Sequence, residues 1–163
     1  MTISPTDQDY EKELLQRAAN AIKNIYSDSI YFAHPVNYYE GSKNNMHGTK
    51  ESELVAIINE KLPFITYNPN QPHNQENYQF WKKATGNGMT YFFDIILPQM
   101  AAGIVLPFSD GMIGAGAYDE MEHLAESKKP VYEINESGII TIFKPNQERK
   151  LSIEKTRERV YKQ

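Results

Sequence analysis

The run Gly103-Ile104-Val105-Leu106-Pro107 narrows the choice of folds more than any other stretch of this chain. It is apolar without alternation, the pattern of a strand covered on both faces. Such strands belong to parallel sheets, whose neighbours can be joined only by long crossovers, commonly helical. The rest of the chain supplies them. Short β-branched and aromatic runs predict further strands at 29–33, 64–67, 130–134 and 139–143. Apolar residues near a 3.6 period predict helices over 5–24, 49–62, 75–84, 89–97, 117–127 and 152–162. The turn Asn135-Glu136-Ser137-Gly138 makes the last two strands a hairpin.

The expected architecture is therefore α/β, a flavodoxin- or Rossmann-like three-layer sandwich. Its sheet has about five mainly parallel strands and ends in a C-terminal hairpin plus helix. One domain over 1–163 is expected, because a chain of 163 residues buries about two-thirds of its unfolded surface. Right-handed crossovers place the strand C-termini along one edge, so the loops leaving Ala33 and Pro107 should converge there.

Composition excludes several functions. With no cysteine there are no disulfides, thiolate metal sites or cysteine nucleophiles, and a cytoplasmic location is expected. Residues 1–9 are polar and acidic where a signal peptide would be basic and then apolar, and no run is long enough to span a membrane. Seventeen basic against 21 acidic side chains leave no basic face for a nucleic acid. His34, His47 and His73 show no ligand spacing, and Glu120-x-x-His123 lacks the second copy a di-iron bundle needs, so neither metal nor cofactor is expected.

Three places remain where chemistry could sit. The first is the turn Ser109-Asp110-Gly111-Met112-Ile113-Gly114-Ala115-Gly116, which leads from the buried strand to a helix start and then Glu120. Unpaired N–H groups at such a start hold phosphate or carboxylate, and the dipole favours an ionised Glu120 suited to nucleophilic attack. The alternative is that Asp119 and Glu120 only stabilise the helix start. Gly114-x-Gly116 lacks the third small residue of a dinucleotide motif, since Asp119 stands there.

The second place is the strand end Tyr31-Phe32-Ala33-His34-Pro35-Val36-Asn37, where hydroxyl, imidazole and amide could line a sugar-sized pocket or simply pack. The third is Asp94 within the mostly apolar Tyr91-Phe92-Phe93-Asp94-Ile95-Ile96-Leu97, facing either a cavity or the wet side of its helix.

These parts, in this order, resemble the nucleoside 2-deoxyribosyltransferase superfamily. Ile30-Tyr31-Phe32-Ala33 is similar to its first strand. Asp94 ahead of 103–107, Gly116-x-x-x-Glu120 and Lys128-Lys129-Pro130-Val131 follow its later motifs, over about 29–134. The resemblance implies a Glu120 nucleophile at the anomeric carbon of a nucleoside or nucleotide, Asp94 at the departing base and Tyr31 steadying Glu120. It implies Ala33, His34, Asn37, Ser109, Asp110, Gly111, Gly114 and Gly116 around the substrate, and a homo-oligomer. Transfer to a second base and hydrolysis by water are both open, as is a non-catalytic nucleotide-sensing module using the same pocket. Two departures stand out. Gly114 lies where several members carry a sugar-holding aspartate or serine, and Glu120-Met121-Glu122-His123-Leu124 replaces a helix of smaller residues.

Overall fold

A computed structural model describes residues 7–35 and 49–161. Asn37, one of the expected substrate contacts, lies outside the described residues. The elements are α1 (Asp7–Ile22), β1 (Ser29–Ala33), α2 (Thr49–Lys61), β2 (Ile65–Tyr67), α3 (Pro72–Thr85), β3 (Ala102–Val105), α4 (Ala115–Glu126), β4 (Val131–Ile134), β5 (Ile140–Ile142) and α5 (Ile153–Tyr161). Five strands form one sheet in the order β2-β1-β3-β4-β5, parallel except for the β4–β5 hairpin. The α/β architecture expected from the sequence is the one found, helices lying on both faces of a mainly parallel sheet.

Alternation along the strands divides the interior. Ile30, Phe32, Ala102, Ile104 and Leu106 face one way, toward Leu54 and Ile58 of α2. Tyr31, Ala33, Val105 and Val131 face the other way, toward Trp81 of α3, Tyr91 and Phe92, and Met121 and Leu124 of α4. At Gly103 a Cβ would stand 2.6 Å from Leu124 Cδ1, so glycine there lets α4 sit close on the sheet.

The order 2-1-3 puts the reversal of strand order between β1 and β3, where α/β sheets bind ligands at the carboxyl ends. Ala33 pairs with Val105 in register, and the Leu106 N–H donates to the Ala33 carbonyl at 2.9 Å. The carboxyl ends of β1 and β3 therefore lie side by side.

One helix differs in kind from the expectation. Over 89–97 the periodicity predicts an α-helix, yet Tyr91–Ile96 is a π-helix, closed by the Leu97 N–H donating to Phe92 O, and Leu97–Gln99 follows as a 3₁₀ turn. The wider π turn keeps Tyr91, Phe92 and Ile96 inside and rotates Asp94, which α spacing would set a turn above Tyr91, out to solvent. Among the described residues, no helix is long and apolar enough to cross a membrane.

Candidate functional site

On the inner stripe of α4, Gly116, Glu120 and Leu124 follow one another at i, i+4 spacing, and Glu120 and Leu124 are buried. A carboxylate therefore occupies a position that packing would give to an apolar residue. Tyr31 of β1, itself 1 % exposed, meets it: Tyr31 Oη donates to Glu120 Oε2. Burial and this bond explain why neither side chain leaves the interior.

Two physical terms oppose each other at Glu120. Desolvation disfavours its charged form, the Tyr31 bond favours it, and Asp119 nearby disfavours it again; desolvation prevails and the pKa is raised to about 8. The same burial, with the adjacent carboxylate, pushes the Tyr31 phenol well above its ordinary value. The sequence expectation of an ionised Glu120 at a helix start is corrected on two counts. Helix α4 begins at Ala115, so Glu120 lies in the second turn, past the reach of the terminal dipole, and it rests protonated at neutral pH.

Glu120 is 7 % exposed, and Tyr31 is its side-chain hydrogen-bond partner among the described residues.

A second set of polar groups lies beside Tyr31 on the same face. Tyr67 of β2 is in register with Tyr31 and stacks alongside it, ring centroids 6.2 Å apart. Asn77 Nδ2 donates to Tyr91 Oη at 3.1 Å, Tyr91 Oη to Asn74 Oδ1 at 2.5 Å, and Asn74 Nδ2 to Tyr67 Oη at 2.8 Å. Arg17 of α1 donates to Asn77 Oδ1 at 3.1 Å. The sequence reading missed Arg17, Tyr67, Asn74, Asn77 and Tyr91 as one group. Its signal was local: Asn74, Asn77, Tyr78 and Trp81 form the inner stripe of α3, with amides at apolar positions.

The glycine turn does something other than cradle an anion. Gly111 takes φ +85°, the left-handed region that favours glycine. The N–H groups of Gly111, Met112, Ile113 and Ala115 donate to Phe108 O, Asp110 Oδ1, Arg149 O and Thr156 Oγ1 respectively. Thr156 sits where a ligand of the helix start would sit. A Cβ on Gly114 would come within 3.0 Å of Thr156 Cγ2, so the small residue at 114 makes room for α5. Arg159 pairs with Asp110 through two bonds of 2.8 Å, and its guanidinium holds the Asp110 carboxyl down at about 2. Ser109 Oγ donates to Glu136 Oε1 at 2.6 Å, and Arg149 Nε donates to Gly111 O at 2.9 Å. Asp110, Gly111 and Gly114 are tied to the C-terminal segment and Ser109 to the β4–β5 turn, long-range partners that nothing in the turn's own sequence announces. Gly116 is half-buried near Met89.

Other expected contacts fall elsewhere. Asp94 is exposed and has no hydrogen bond to Glu120 or Tyr31 among the described residues. Ala33 is packed in the core with its carbonyl used by Leu106. His34 stacks on Phe32 at 4.1 Å, with Nδ1 2.9 Å from Phe32 O and Nε2 2.5 Å from Glu51 Oε2, so its ring is committed toward the α2 side. Lys128, just past the end of α4, takes φ +62°, a conformation that favours glycine.

No family model, curated protein or solved structure matches this chain. The reading of the site therefore rests on its geometry.

Proposed function

We propose that this chain acts on the N-glycosidic bond of a nucleoside or nucleotide, as a deoxyribosyltransferase or hydrolase, with Glu120 as nucleophile. The carrying observation is the buried Tyr31–Glu120 bond, beside the reversal of strand order. Tyr31 would hold Oε2 and so direct Oε1 at the anomeric carbon. Attack forms a C–O ester bond as the C–N bond breaks, its electron pair leaving with the base. A second base or water then displaces the carboxylate and restores it.

Glu120 must first lose its resting proton, so turnover on this reading depends on pH near 8. Asp94, exposed on the π segment, takes no part in this geometry. The absence of cysteine fits work in a reducing compartment such as the cytoplasm.

A panel of nucleosides and nucleotides, followed by chromatography for free base, tests the proposal. Wild type should release base from at least one member, and Glu120→Ala should release none while still binding it. A panel that yields no free base refutes the enzyme reading. It leaves a non-catalytic nucleotide-binding module, which the protonated resting state of Glu120 and the internally bonded glycine turn both favour.

A further inference from the structure

A groove of about 540 Å³ runs along the open edge of β2, between the end of α1 and the start of α3. It is separate from Glu120, which does not line it. Its size lies within the range of small-molecule sites. Its inner wall carries Tyr67 and Asn77, two members of the bonded chain described above; Asn77 is 7 % exposed.

That chain has a direction. Arg17 donates to Asn77, Asn77 to Tyr91, Tyr91 to Asn74 and Asn74 to Tyr67. Each link orients the next, beginning at a cation, and the hydroxyl proton of Tyr67 has no acceptor among the described residues. The chain thus ends on a residue that lines the groove. Arg17 is held in place by Glu13 at 3.0 Å and by the Phe80 ring, 4.5 Å from its Cζ.

On the outer wall, Asn20 near the end of α1 and Asn24 in the turn that follows it are exposed and without hydrogen-bond partners among the described residues. Carboxamides read a ligand edge that presents a donor beside an acceptor, as they do with adenine. Arg17 is already paired with Glu13, and Glu76 lines the groove along with His73, so the wall offers no unpaired arginine or lysine for an anion. Tyr26 and Tyr67 add aromatic faces.

We infer that this groove is a second binding site, for a neutral planar heterocycle whose edge carries adjacent hydrogen-bond donor and acceptor groups. Asn20 and Asn24 read the edge, and Tyr67 donates to a ring acceptor. The inference does not depend on any reaction at Glu120.

The test is calorimetric titration of the full chain with adenine and uracil, and with benzoate and inorganic phosphate as charged controls. Adenine or uracil should bind, the controls should not, and Asn20→Ala/Asn24→Ala should weaken binding by about tenfold or more. Both positions are on the surface, so this variant folds; Tyr67→Phe should weaken binding as well. Glu120→Gln should bind as wild type does. Trp81, the one tryptophan, lies 5.0 Å from Tyr91, so its emission should shift with occupancy. Absence of binding by either heterocycle, equal binding by the double variant, or preference for the charged controls overturns the inference. Unchanged binding by Tyr67→Phe also overturns it, by moving the heterocycle off this groove, and leaves the proposed function standing.

Discussion

Replacing Glu120 by Gln should make the protein more stable, by an amount that grows with pH. In the unfolded chain Glu120 ionises near 4.5, whereas in the folded chain burial holds its proton to about 8. Below 4.5 both states carry the proton and the residue contributes no pH dependence. Between the two values only the folded state carries it, so ionisation favours unfolding and stability falls by about 1.4 kcal/mol per pH unit. At pH 7 the loss amounts to roughly 3 kcal/mol, and above pH 8 to roughly 5 kcal/mol, against a total stability of about 5–15 kcal/mol for a domain. Gln keeps an acceptor for Tyr31 Oη and has nothing to titrate. Its extra N–H needs a partner, which shifts the comparison by a constant; the slope with pH is the diagnostic quantity. Urea unfolding of both proteins from pH 5 to pH 8, followed by Trp81 emission, measures it. The advantage of Glu120→Gln should widen steadily across that range. A difference that stays constant, or one that favours wild type increasingly as pH rises, would refute the assignment of a buried protonated carboxyl.

Other expected outcomes follow from the same geometry. If the chain cleaves a glycosidic bond, kcat/KM should climb with pH on an acid limb near 8, and Tyr31→Phe should move that limb upward, because the lost bond favoured the charged form; a limb near 4.5 in wild type would contradict this. Gly103→Ala forces a Cβ to 2.6 Å from Leu124 Cδ1 and should cost about 1–3 kcal/mol in urea unfolding. Lys128→Gly should stabilise by about 1 kcal/mol, since the left-handed backbone there penalises a side chain; a loss of stability would show that the Lys128 side chain compensates. Thr156→Val removes the acceptor of the Ala115 N–H and should cost about 1 kcal/mol, read as a lower urea midpoint.

The site was legible in unequal parts. Glu120 was singled out by its place after the glycine turn at the expected helix start, and Tyr31 by its place on a strand reaching the carboxyl edge. For Asp94 the sequence left a cavity and the wet face of its helix open, and the structure has it exposed on the π segment. The polar chain from Arg17 to Tyr67 joins α1, α3, the π segment and β2, and no local pattern predicts that four elements will place their amides and hydroxyls within bonding distance.

By itself the sequence determined the class of fold, because uninterrupted apolar strands can be satisfied only by helices on both faces, and because strand and helix periods are written residue by residue. It also determined the strand carrying Tyr31 and the helix carrying Glu120. Only the tertiary structure decided what those residues became. Packing removed water from Glu120 and overrode the helix dipole, since desolvation of a charge outweighs a partial charge more than a turn away. Long-range contacts likewise brought Thr156 and Arg159 onto the glycine turn, which without them would present free N–H groups to a ligand.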